Sequence, residues 1–250
     1  MSVLKTSLAA LALAAAAAAA PAATVTVAFD NPIFNGSGYD AVHIQFPNQG
    51  GSGTRTEHVA AGRFQGTATN LNGIEPGVFV DGVNDLFMYC YDAFESINSG
   101  WIVNYTVDFT GVTARTLDFL GAVNTVLSAG GTYDPYAWLH PVNGNMGAAI
   151  QIGIWESLYD ATGWDLGAGD FRAWDLNTGA TGTLGYWNSF RDAIAGSDSL
   201  AQPFTMVLRA NGAQDMITGD PPVNVPEPGT LALIGLALAG LGASRLRRQP

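Results

Sequence analysis

The feature that most constrains the fold is a change of hydrophobic period near residue 110. Before it, apolar residues alternate with polar ones, as in Thr24-Val25-Thr26-Val27-Ala28-Phe29 and Ala41-Val42-His43-Ile44-Gln45-Phe46, so one face of each segment is set to be buried. Pro32, Asn35-Gly36-Ser37-Gly38 and residues 48–53 punctuate these runs as turns. Further strands are predicted over 55–60, 77–80, 85–91 and 101–109, the last with aromatic and β-branched residues in alternation. From Arg115 the period becomes helical: Phe119, Leu120, Val123, Val126 and Leu127 make one stripe, stopped by Gly130-Gly131. A short turn or helix at 136–139 ends before Pro141. Asn145 is a candidate N-cap for a helix over 146–160, and a further helix is predicted over 186–195 with Trp187, Phe190 and Ile194 on one face. The Gly- and Asp-rich stretch between them reads as loop, 203–209 as a returning strand and 213–224 as linker. Strands followed by helices make an α+β chain, here a β-sheet sandwich or partial barrel carrying a helical subdomain over residues 23–212.

The ends of the chain read as addresses. Lys5, the apolar stretch from Leu8 to Ala20 and Ala20-Pro21-Ala22 have the order of a secretory signal peptide over 1–22. At the other end Val225-Pro226-Glu227-Pro228-Gly229 precedes an apolar run over 230–243 and the basic tail Arg245-Leu246-Arg247-Arg248. This resembles the PEP-CTERM sorting signal of Gram-negative bacteria, which a membrane sorting enzyme of the exosortase type recognises and cuts. The resemblance implies a transmembrane sorting helix within 225–250, with Pro226, Glu227 and Pro228 as the recognised motif. Arg245, Arg247 and Arg248 would hold the tail in the cytoplasm. The protein would cross the inner membrane and end in the envelope, at the cell surface or in extracellular polymer.

Between these signals, residues 24–225 carry six arginines, no lysine and twenty acidic residues, a net charge of −14. Such a field repels nucleic acid and anionic lipid heads, so the membrane is met only through the C-terminal segment before processing.

Two stretches carry chemistry. Met88-Tyr89-Cys90-Tyr91-Asp92 reads as a strand ending in the one cysteine of the chain, and Ala149-Ile150-Gln151-Ile152-Gly153-Ile154-Trp155 as the opening of an amphipathic helix that buries a glutamine. An exported chain with an odd cysteine has no internal disulfide partner, and its thiol is a liability in an oxidising compartment. A buried unpaired amide costs on the order of 1–3 kcal/mol. Aromatic-Cys-apolar followed by apolar-Gln-x-x-apolar-Trp resembles the signature pair of the bacterial surface thioester domains. That resemblance implies a covalent bond between the Cys90 sulfur and the Gln151 carbonyl carbon, made with loss of ammonia. Tyr89 and Trp155 would shield it, and Gly147 and Ala148 would let the Cys90 strand come close. The implied role is adhesion: a surface nucleophile, an amine above all, attacks the acyl group and stays attached. The protein is then consumed and is not an enzyme; no cofactor is implied.

Two other readings stand beside this one. Cys90 with His140 as base would make a cysteine hydrolase, although no Gly-rich nucleophile turn surrounds Cys90. An inert Cys-Gln pair would leave a passive envelope or matrix component. No metal motif is visible, since residues 165–175 are acidic and Gly-rich but lack the EF-hand order of calcium ligands.

Overall fold

The computed structural model describes residues 22–221. The expected signal peptide over 1–22, save its last residue, and the sorting segment over 225–250, with Pro226, Glu227, Pro228, Arg245, Arg247 and Arg248, lie outside the described residues. Among the described residues no helix is long and apolar enough to cross a membrane.

Among the described residues nine strands form two sheets. The first is a closed barrel in the order β1 (Thr24–Phe29), β4 (Phe64–Asn72), β5 (Leu86–Cys90), β9 (Met216–Gly219), β8 (Thr205–Arg209), β6 (Ile102–Asp108), and each neighbouring pair is antiparallel. The expected sandwich or partial barrel is therefore a closed one, and closure removes the exposed edges an open sheet would leave. The second sheet sets β2 (Tyr39–Pro47) between β3 (Thr54–Gly62) and β7 (Arg172–Trp174).

Three corrections to the sequence reading have physical causes. Residues 77–80 are not a strand: Pro76 starts a 3-10 turn over Pro76–Val78. β7, in the Gly- and Asp-rich stretch, has three residues, too short to show an alternation. The expected linker over 213–224 contains β9, which closes the barrel between β5 and β8 through Tyr89↔Ile217 and Val207↔Ile217.

The helices are α1 (Ala114–Leu127), α2 (Gly144–Tyr159) and α3 (Thr183–Ala193). Thr113 caps α1, its hydroxyl accepting from Thr116 N at 3.2 Å. The cap of α2 is Asn143 and not Asn145: the Asn143 side chain accepts from Met146 N at 2.9 Å, while Asn145 donates to Thr181 O at 3.0 Å ahead of α3. α2 packs against β2, β3, β5, α1 and α3, and every residue from Met146 to Trp155 is buried. It is thus a central helix, buried on every side from Met146 to Ser157, and not the amphipathic one its sequence suggests. Gly153 makes this fit possible, because a Cβ there would overlap the Phe119 ring of α1. Gly147 faces the bend between β3 and β4, 3.3 Å from Arg63 N for an added Cβ, and not the Cys90 strand. Phe119, Trp164 and Trp187 complete the helical core, with Phe119 and Trp187 ring centroids 6.0 Å apart.

Candidate functional site

Cys90 is the last residue of β5 and lies beside Met216 of β9. On its other side β4 begins only at Phe64, opposite Met88, so the ladder runs out before Cys90. α2 fills that gap. The carboxamide of Gln151 accepts from Cys90 N at 2.8 Å and donates to Cys90 O at 2.9 Å, so one side chain takes the place of a strand residue. Cys90 is 1% exposed and Gln151 0%, which makes these two bonds the full answer to where the buried amide goes. The structure brings Cys90 and Gln151 together through the backbone of Cys90, not through its sulfur.

The sulfur points elsewhere. Cys90 Sγ donates to Gln214 Oε1 at 2.8 Å. Gln214 stands in the loop between β8 and β9 and is fixed at both ends: its backbone carbonyl accepts from Tyr105 Oη at 3.2 Å and its Nε2 donates to Asp92 O at 3.4 Å. The loop itself is pinned by carboxylates, with Gly212 N on Glu95 Oε1 at 2.9 Å and Asp215 N on Asp92 Oδ2 at 2.6 Å. Sequence reasoning missed Gln214 because Asn211-Gly212-Ala213-Gln214-Asp215 has the composition of a turn and no period.

Trp155, one helical turn after Gln151, donates its indole N–H to Asp92 O at 2.9 Å. Its ring lines a cavity of about 320 Å³ together with Cys90 and Gln214. Apolar side chains such as Phe34 and Ile44 form other walls, and Glu57 and Glu95 supply carboxylates. Trp155 therefore has a polar partner and lines the same cavity as Cys90. Tyr89 does not shield it: strand alternation sends its side chain to the opposite face, where the hydroxyl donates to Trp138 O at 3.1 Å.

Burial and the nearby Asp92 carboxylate push the Cys90 thiol well above its ordinary range. Burial also raises Asp92 to about 6, although backbone N–H groups of Asp215, Glu95 and Phe94 favour its charged form. Both effects favour the protonated thiol over the thiolate. His140, the candidate base of a hydrolase, is engaged at 3.5 Å with Asp81 Oδ1 and lies edge-on to Phe87, on β5's neighbourhood with β4. Cys90 has no such contact with a histidine among the described residues. In the 165–175 loop, Asp160 Oδ1 accepts from Asp170 N and Phe171 N, and Asp165 Oδ1 from Gly167 N, which is turn chemistry. Among the described residues no three His, Cys, Asp or Glu side chains converge on a metal position.

The fold and site define a small barrel with a helical subdomain that buries one cysteine between two glutamine side chains. Residues 224–248 match the PEP-CTERM protein-sorting motif. Proteins bearing this motif are exported and sorted to the cell envelope or surface, and the motif is the recognition element of an exosortase-type membrane enzyme. The chain has no significant match among curated proteins or solved structures.

Proposed function

We propose that this is an exported, envelope-sorted protein that attaches covalently to a partner through an internal cysteine–glutamine thioester on Cys90. The observation that carries the reading is the packing of the chain's one cysteine, buried and un-ionised, with its sulfur 2.8 Å from a glutamine carbonyl oxygen and its backbone clamped by a second glutamine. Closing the bond joins Sγ to the carboxamide carbon and releases ammonia, which leaves with the thiol proton. An amine on the partner then forms an amide at the same carbon, the C–S bond breaks, and the amine proton passes to sulfur. The protein is consumed in one reaction and does not turn over. The absence of lysine from residues 24–225 leaves no lysine amine of its own to compete.

The test is the intact mass of the full chain, expressed without the sorting enzyme and compared with Cys90→Ala. A mass one ammonia below the sequence value in the wild type alone, and addition of methylamine with exposure of one thiol, support the thioester. The full sequence mass with a titratable thiol would show a passive envelope component.

A further inference from the structure

We infer that the cleft between β7 and α3 binds a neutral polysaccharide, with the Trp174 indole as its stacking platform. The site is separate from the one at Cys90: of the residues lining this cleft, none lines the cavity that Cys90 shares with Trp155.

Two local patterns make the cleft. β7 is an edge strand of the second sheet, so its far side has no strand to pair with. On α3, Trp187 and Phe190 are buried in the helical core, and Leu184, Asn188 and Arg191, spaced four and three residues apart, form an adjoining face. The space between has a volume of about 530 Å³, and that face lines it together with Trp174, Asp165 and Asp175.

Trp174 is held as a wall of this cleft. It stands opposite His43 in the β2–β7 ladder, and the two rings stack with centroids 5.5 Å apart and planes 8° from parallel. His43 stacks in turn on His58 of β3, its cross-strand partner, with centroids 4.5 Å apart. Three rings in a row across three strands fix the indole by cross-strand packing. His43 covers one of its faces, the other points away from the sheet, and the residue is 38% exposed. Asp175 follows at φ +60°, a left-handed conformation uncommon outside glycine, and its Oδ2 lies 2.8 Å from His43 Nδ1. The chain thus bends at the rim of the cleft, and a carboxylate stands against the ring behind the indole.

The polar groups around the free face have capacity left. Asn188 offers a donor and an acceptor. Arg191 gives Nε and one terminal nitrogen to Asp192 Oδ1, and its fork has further N–H groups. Asp165 accepts from Gly167 N with Oδ1 and has a second oxygen. A pyranose has a C–H face that packs on an aromatic ring and a rim of hydroxyls that both donate and accept. One flat apolar wall with a few donors and acceptors around it is the complement of that chemistry. The net charge of −14 over residues 24–225 sets the charge of the ligand, since it repels polyanions. A protein partner fits less well, because the well-exposed apolar side chains of the cleft are Trp174 and Leu184, too few for the apolar centre of an interface.

The experiment runs the full chain through native gels cast with dextran, galactomannan, hydroxyethylcellulose or barley β-glucan, and with alginate as the polyanion. The expected result is retardation by at least one neutral polymer and none by alginate. Trp174→Ala should weaken that retardation roughly tenfold or more, and Trp174→Phe should keep most of it. Trp101→Ala, which removes an indole of similar exposure beside β6, should change nothing. Hydroxyl-radical footprinting of the wild type in the retarding polymer should protect Trp174 and leave Trp101 reactive; this measurement needs no variant to fold. No retardation by any neutral polymer, retardation by alginate alone, or equal loss in Trp101→Ala would overturn the inference. So would a wild-type dimer in sedimentation velocity that Trp174→Ala dissolves, since the cleft would then hold a second copy of the chain.

Discussion

At the scale of single residues, the two glutamines have opposite expected costs. Removing the Gln151 amide orphans Cys90 N–H and C=O in a fully buried place, so Gln151→Ala should lose roughly 2–5 kcal/mol by chemical denaturation. Gln214 is half-buried in a loop, and Gln214→Ala, compared in the Cys90→Ala background, should cost less than about 1 kcal/mol. Glu156 sets a second prediction. Its carboxyl is buried in α2, with Oε1 accepting from Asp165 N and Oε2 unpartnered, and burial raises it to about 7, with Asp160 adding to the rise. Asp92 and Asp220 shift in the same direction, Asp220 to about 7 by burial. Carboxyls raised above their unfolded values stabilise the fold most below the unfolded value and lose that contribution as pH rises through the folded one. The melting temperature should therefore fall between about pH 5 and about pH 8, and Glu156→Gln should flatten the fall by raising the value at the upper end. Equal slopes for the two proteins in thermal melts would show that Glu156 does not contribute.

At the scale of elements, legibility followed local pattern. α1, β1, β2 and β6 announce themselves because their apolar residues repeat at a fixed period over six residues or more, whereas β4 went unpredicted, its centre Gly66-Thr67-Ala68-Thr69 having no large apolar residue to alternate. The burial of Gln151 was readable from its apolar neighbours within one helical turn. β9 was not, because four residues of Met216-Ile217-Thr218-Gly219 show two apolar positions at most, and their partners, Tyr89 and Val207, are set by barrel closure. With β9 went the residue before it, Gln214, and so the sulfur's neighbour. The same strand gives a third prediction. A chain ending at residue 212 lacks β9 and leaves β5 and β8 unpaired along facing edges, so it should be insoluble or lose cooperative melting. One ending at residue 221 should melt as the full chain does. Like melting of both would show that the barrel does not need its last strand.

At the scale of the whole molecule, the barrel and the sorting motif at 224–248 sit next to each other in the chain but answer to different readers. Deleting Pro226 to Pro228 should leave the chain uncut and the proposed chemistry at Cys90 unchanged. Replacing Arg245, Arg247 and Arg248 with neutral residues should disturb orientation in the membrane. Fractionation followed by immunoblotting reads both; wild-type processing of the two variants would separate sorting from the motif. The acidic net charge of the barrel also bears on partners, since it draws cationic groups toward the cavity and its carboxylates Glu57 and Glu95.

The position of β9 at the end of the described chain sets a mechanical path. Gln214, at the entry to β9, and a grip on the sorting segment that starts at residue 224 are separated by about ten residues, or at most ~35 Å of extended chain. Tension between them would run through β9 alone, which is held by two register pairs to β5 and four to β8. The load would peel that strand and leave α2, the second sheet and the rest of the barrel outside the line of force. Pulled from residue 214 and the C-terminus in a single-molecule trap, the protein should yield in one short step with the helical core intact; a long extension spanning residues 22–210 would mean that the load passes through the whole fold.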